Sequence, residues 1–281
     1  MPLPLDSHVH SEWSWDARLG DMEATCARAV SIGLPSLAFT EHLDHTVWTA
    51  LPERLAELPE EHPVVAHADD DGVVTPPALD AAGYLEAIER CRDRFPELRI
   101  LSGLELGEPH RHGAAIADVL GSGTFDRLLG SLHCIADGDT FTEPDHLYQR
   151  RDPDEVVRSY LVEVADMVER TDSFAVLAHI DYPLRALSLT SPCDPAPFED
   201  EFRHALRALA LSGRALEINT RIPLQPAILG WWRDEGGESV TFGSDAHQPA
   251  ALARGFAEAA AMAEAHGFRP SADPHGFWAR A

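Results

Sequence analysis

The stretch Leu3-Pro4-Leu5-Asp6-Ser7-His8-Val9-His10 decides how this chain is read: a short apolar run ends on two histidines separated by one residue. On an extended strand residues i and i+2 point to the same side, so His8 and His10 can converge on one ion beyond the strand's end. The pattern recurs along the chain. Ser36-Leu37-Ala38-Phe39-Thr40 runs into Glu41-His42, Arg99-Ile100-Leu101-Ser102-Gly103-Leu104 into Glu105, and Leu128-Leu129-Gly130-Ser131-Leu132 into His133. Phe174-Ala175-Val176-Leu177-Ala178 runs into His179, and Val240-Thr241-Phe242-Gly243-Ser244 into Asp245-Ala246-His247. An isolated polar residue at a strand end explains any one of these, but not the same chemistry at the same place in six repeats. A seventh run, Ala215-Leu216-Glu217-Ile218-Asn219-Thr220, carries Glu217 and Asn219 instead.

Between the runs lie stretches of helical period and composition: Met22 to Ile32, Ala81 to Arg94, Pro153 to Glu169, Glu199 to Leu211 and Leu252 to His266. Strands alternating with helices imply parallel pairing with right-handed crossovers. Seven such units predict an α/β fold, a distorted (β/α)7 TIM-like barrel forming a single domain over residues 1–281. Catalytic groups of such barrels come from the C-terminal ends of several strands, which is where the ligand-type residues fall. Residues 48 to 80 break the rhythm with Leu51-Pro52, Asp69-Asp70-Asp71-Gly72 and Pro76-Pro77. They are expected to form an insertion after a strand end, a lid or rim over the site.

Composition excludes several classes. No apolar stretch is long enough to span a bilayer, and no basic segment followed by an apolar one suggests a signal peptide. Cys26, Cys91, Cys134 and Cys193 are scattered without a Cys-x-x-Cys pair, the pattern of reduced thiols in a cytoplasm. The formal net charge is −25 and every basic side chain is arginine. Without lysine there is no Schiff base, no P-loop lysine and no carbamylated lysine to bridge metals. The acidic balance argues against a long nucleic-acid partner, while a small anion remains compatible with a few arginines focused in a cleft.

In these segments the chain resembles the polymerase and histidinol phosphatase (PHP) superfamily over nearly its whole length. The segments Asp6-Ser7-His8-Val9-His10-Ser11, Phe39-Thr40-Glu41-His42, Gly103-Leu104-Glu105 and Gly243-Ser244-Asp245-Ala246-His247 are specific when found in this order. The resemblance implies a distorted seven-stranded barrel with up to three metals at its C-terminal mouth. It assigns His8, His10, Asp16, His42, Glu105, His133, His179, Asp245 and His247 as ligands. Ala178-His179-Ile180-Asp181 and Glu217-Ile218-Asn219-Thr220 look like the histidinol-phosphate phosphatase branch, although Asp16 stands where that branch often has histidine.

Mixed imidazole and carboxylate donors suit two or three divalent ions of zinc, manganese or iron. Glu105 is the expected bridge, and attack on phosphorus by a metal-bound hydroxide is the expected chemistry, with Glu105 and Asp245 central to it. Arg185 and Arg221 lie just past strand ends, and Arg111 in His110-Arg111-His112 is a third candidate to bind phosphate. Glu41 beside His42 is expected to orient a ligand or water. Cys134 is expected to be a small buried apolar group and Asp181 a loop cap. His45, His62, His67, His146, His204, His266 and His275 lack strand-end context and are expected at the surface.

The expected function is therefore a cytoplasmic metal-dependent phosphoric monoester hydrolase with a small phosphorylated metabolite as partner. By resemblance that metabolite is histidinol phosphate, which places the enzyme in histidine biosynthesis. The alternatives are a PHP phosphoesterase for a nucleotide, oligonucleotide or specialised metabolite, and a metal-binding barrel without turnover.

Overall fold

The computed structural model describes residues 3–187, 193–273 and 275–281. Seven parallel strands form its centre: β1 (Asp6–Val9), β2 (Ser36–Leu43), β3 (Arg99–Gly107), β4 (Arg127–Ser131), β5 (Val176–Leu177), β6 (Ala215–Asn219) and β7 (Ser239–Gly243). Each pairs with the next, and β7 closes on β1 where Asp6 lies opposite Phe242, so the expected (β/α)7 barrel is the fold observed. Closure is uneven. β2 and β3 pair over eight residues, from Ser36 opposite Arg99 to Leu43 opposite Leu106, whereas β5 contributes only two.

Two strands are longer than their apolar runs suggest. Glu41 and His42 lie inside β2 and Glu105 inside β3, rather than beyond their ends. Along β1 the register to β2 slips: Asp6 faces Leu37 and Val9 faces Phe39, three residues against two. This extra residue is a β-bulge, which re-aims the side chains that follow it. Leu5 accordingly packs with Ala38 and Leu101, while His8 and His10 turn into the mouth.

Local chemistry sets the outer helices. Asp21, Asp80 and Asp152 cap the helices Met22–Ile32, Ala81–Arg94 and Pro153–Arg170 by accepting from backbone amides in the first turn. Glu199–Ser212 ends at Gly213, whose positive φ of 73° suits a left-handed cap. The last helix is shorter than its periodicity suggests, running only over Phe256–Ala265. Gly255, at φ 71°, breaks it from the short turn Pro249–Ala251.

The floor of the barrel is apolar apart from Arg127. Leu129, Val176, Ala178 and Ala215 pack there against Phe277, which stands before an added strand, Trp278–Arg280, antiparallel to the first half of β7. Residues 48–80 fold as a small unit of their own. Trp48–Thr49 pairs with Val73–Val74, helices Pro52–Glu57 and Pro63–His67 lie between them, and Trp48, Ala50, Val64 and Val74 share a core with Cys134. Side-chain bonds also tie this unit to the neighbouring hairpin, Ile135–Asp137 paired with Thr140–Thr142, and to the helical turn after it, Pro144–Leu147. Thr142 Oγ1 donates to the Thr49 carbonyl, and Arg54 pairs with Asp145 at 2.7 Å.

Candidate metal centre

Glu105, near the end of β3, stands at the centre of the mouth and is 1% exposed. Its Oε2 lies 3.0 Å from His8 Nε2, 3.3 Å from His10 Nε2 and 3.3 Å from His42 Nδ1. Its Oε1 lies 3.2 Å from His133 Nε2 and 2.7 Å from His179 Nε2, and also accepts from Ser131 Oγ at 2.5 Å. One carboxylate thus turns its two oxygens to two different sets of imidazoles. A third group lies beside them, where Asp16 approaches His42 Nε2 at 3.4 Å and His247 Nε2 at 2.9 Å. Asp245 Oδ1 stands 3.8 Å from His10 Nε2 and 3.5 Å from His247 Nδ1. All nine ligand-type residues named from the sequence therefore meet in one place.

The ring atoms facing away from the centre are also provided for. His8 Nδ1 donates to Glu217 Oε1 at 2.7 Å. His10 Nδ1 donates to Ser14 Oγ at 2.9 Å, and that hydroxyl passes its own proton to Glu41 at 2.5 Å. Each bond fixes the ring with Nε2 aimed inward, the way outer partners orient metal-ligating histidines. Glu41 takes the expected orienting position. Gly243 makes room for Glu217, because a Cβ there would lie 2.0 Å from Glu217 Oε1. His179 and Asp245 hold positive φ angles of 22° and 53°, costly for side chains with a Cβ and concentrated at functional sites.

Burial opposes charge throughout the mouth, and at Glu105 and His8 the neighbours overrule it. Glu105 is held well below the usual carboxylate range by His8, His42 and His133 despite its burial. His8 is held well above the imidazole range by Glu105 and Glu217 despite its own. Burial with His42 and His247 alongside pushes His10 down to about 3, leaving it neutral and able to donate a lone pair. The closely spaced donors and inward-facing lone pairs fit divalent cations, which replace mutual repulsion by shared coordination.

The centre lies in a cavity of about 520 Å³. Arg185 and Arg221 both line it, each 3.0 Å from a different oxygen of Asp245. The Nε and Nη2 of Arg185 are buried without a hydrogen-bond partner among the described residues, which leaves donors for an anion. Arg111 is a correction. It bonds Glu163 and the Cys134 carbonyl, stacks over Phe141, and is not among the residues lining the cavity.

Two of the histidines expected at the surface are elsewhere. His146 is 2% exposed and accepts the Leu51 amide through Nδ1, and His62 lines the cavity. Cys134 is buried, as expected, and Asp181 is buried where the helix Tyr182–Leu187 begins. Sequence reading missed three acidic residues, Asp44, Glu108 and Glu143, and gave Glu217 no role. Asp44 Oδ2 and Oδ1 lie 3.4 Å from the Nδ1 atoms of His42 and His133 respectively. Glu217 supports His8, and Glu108 accepts the backbone amides of His133 and Cys134. Glu143 lines the cavity, where burial beside Asp145 pushes its carboxyl up to about 8.

The PHP domain family model matches residues 6–221. The chain belongs to the PHP domain family. It is 30% identical over 266 residues to a probable histidinol-phosphatase of Deinococcus radiodurans, covering 90% of each chain. It is 28% identical over 253 residues to the histidinol-phosphatase of Lactococcus lactis, covering 86% of this chain and 84% of that one. In fold it resembles the crystal structure of histidinol phosphate phosphatase from Lactococcus lactis complexed with zinc, L-histidinol and phosphate. The TM-score is 0.76 at 24% identity, over 96% of this chain and 95% of that one.

Proposed function

We propose that this chain is a metal-dependent phosphoric monoester hydrolase that acts on histidinol phosphate in the cytoplasm. The observation that carries the reading is the division of Glu105: Oε2 turned to His8, His10 and His42, Oε1 to His133 and His179, in a cavity that also holds two arginines. The full-length relatives named for this activity support it. So does the absence of a membrane-spanning helix among the described residues, as far as the compartment is concerned.

In this reading His8, His10, Asp16, His42, Glu105, His133, His179, Asp245 and His247 would hold two or three divalent ions of zinc, manganese or iron. Such ions, when bound, polarise a phosphoryl oxygen and lower the pKa of coordinated water. Everything else is done by the chain. Asp44, Glu217 and the Ser14–Glu41 relay hold the imidazoles in their orientations. Arg185 and Arg221 receive the terminal phosphate oxygens, where planar guanidinium groups suit a dianion. The unit over residues 48–80 belongs to the same single domain and serves as a fixed rim, since its core is continuous with the adjoining hairpin.

The test is phosphate release by protein purified without chelator, from histidinol phosphate, other small monoesters and single-stranded DNA. Hydrolysis of histidinol phosphate ahead of the rest, with more than one metal per chain by elemental analysis, is expected. Cleavage of DNA with monoesters untouched would overturn the reading.

A further inference from the structure

Two acidic side chains, Glu143 and Asp145, line the cavity on the segment that follows the hairpin beside the rim. They differ in one respect. Asp145 is already matched, its Oδ2 2.7 Å from Arg54 Nη2. The Glu143 carboxylate has no hydrogen bond or ion pair among the described residues, although it stands in the wall of a cavity whose other lining includes Trp15, Trp48 and Tyr182. A half-buried carboxyl in a cavity wall, without a partner of its own, is open to pairing with an arriving cation. In a cavity also lined by aromatic rings, it is half of a site for an organic cation.

The reaction site supplies the direction. Phosphate is received by the two arginines beside the ligands grouped around Glu105, so a substrate seated there extends its organic part into the remainder of the same cavity. Resting on the function proposed above, we propose that Glu143 determines specificity by pairing with the protonated amine of the substrate, so that the cavity selects phosphate monoesters carrying a cationic nitrogen.

A metal ion held by Glu143, Asp145 and His146 is the competing use of this carboxylate, since their donor atoms lie close together. The surroundings oppose it. Arg54 already neutralises Asp145, and His146 Nδ1 is occupied by the Leu51 amide.

The holoenzyme and its Glu143→Gln variant should be compared on two pairs of substrates: histidinol phosphate with its N-acetyl derivative, and 3-aminopropyl phosphate with propyl phosphate. The wild type is expected to favour the amine of each pair by about tenfold or more in kcat/KM, as for a charge-assisted contact. Glu143→Gln should lose that preference through KM, keep its rate on the neutral esters and retain its metals. Glu143→Asp, shorter but charged, should keep part of it. Preference retained in Glu143→Gln, equal losses on both members of a pair, no preference in the wild type, or a lost metal equivalent would each overturn the proposal. If the amine is read only from the imidazole, acetylation leaves the histidinol pair equal, and the assignment to the amine falls. Should the wild type ignore histidinol phosphate yet prefer aminopropyl over propyl phosphate, with the preference lost in Glu143→Gln, the substrate named above is wrong and the role of Glu143 stands.

Discussion

The two ends of the barrel bury charge by opposite rules. At the mouth, Glu105, His8, His10, His179, Asp245 and Glu217 are each no more than 5% exposed, and each has at least one carboxylate or imidazole counterpart within 4 Å. At the floor a single cation, Arg127, is 8% exposed and has no carboxylate in ion-pair contact among the described residues. It lies 4.4 Å over the ring of Phe277, and its Nε is unbonded. Burial with Arg99 alongside pushes it down to about 10, with Asp126 and Asp273 pulling the other way. A dense network fails when one member is removed, because the others are left buried and unpaired. A lone charge leaves nothing behind. The mouth should therefore be intolerant in function and the floor tolerant.

Removal of bound metal gives the largest contrast. Dialysis against a chelator should abolish phosphatase activity and lower the melting temperature by roughly 10 °C, because ligand bound only to the folded state at about a thousand times its Kd contributes about 4 kcal/mol. Restored Zn²⁺ or Mn²⁺ should recover both. An unchanged melting curve after metal is shown to be gone would mean that the nine donors do not hold it.

Glu105→Gln comes next. It keeps shape but removes the charge that two sets of imidazoles face, and kcat on histidinol phosphate should fall by about 10²-fold or more. Asp245→Asn should lose a comparable amount, with reduced metal occupancy. Circular dichroism of both should match wild type. Near-normal turnover in Glu105→Gln would reduce that residue to a structural role.

The contrast between mouth and floor also explains what could be read from sequence. The barrel and eight of the nine ligand-type positions were legible because parallel strands repeat one geometry and bring donors to a common level, whereas Asp16, in the turn after β1, came only from the family resemblance. The same i, i+2 rule that joins His8 to His10 also joins His42 to Asp44 and Glu217 to Asn219, so Asp44 and Glu217 carried a usable signal. Arg111 was misread because its partner, Glu163, sits 52 residues away on a helix and leaves no local mark. Nothing local marks His146 or Glu143 either, since both follow a hairpin outside the repeat. The floor was invisible for a similar reason: Phe277 reaches Leu129 and Val176 from the far end of the chain.

The arginines sit between the extremes. Arg221 is about half exposed, whereas Arg185 is 13% exposed with buried, unused donors, held above its ordinary pKa by Asp245 and Asp181 against the cost of burial. Arg185→Ala should raise KM for histidinol phosphate by roughly tenfold or more, the worth of a charge-assisted contact. Arg221→Ala should do so by about the same factor or less, because water can reach the gap. Lysine at either position restores charge without the planar fork and should rescue only in part. If both alanine variants leave KM unchanged in steady-state assays, phosphate is bound elsewhere.

The smallest effect is expected where a buried charge is deleted outright. Arg127→Met removes the cation and its unbonded Nε while leaving an unbranched chain to fill the space over Phe277. The desolvation cost of the guanidinium disappears with it, and what is lost is one cation–π contact of about 1 kcal/mol. These nearly cancel, so the unfolding free energy in urea should stay within about 1 kcal/mol of wild type. Activity and metal content should not move, because no carboxylate or imidazole of the mouth faces this side chain. Phe277→Ala must behave differently, since it leaves the guanidinium in place and takes away both the ring beneath it and packing against Leu129, Val176, Ala178 and Ala215. Its loss should be about 2 to 4 kcal/mol, again without change in KM. A large destabilisation by Arg127→Met would show that the floor depends on its charge as the mouth does, and the contrast between the two ends would fail.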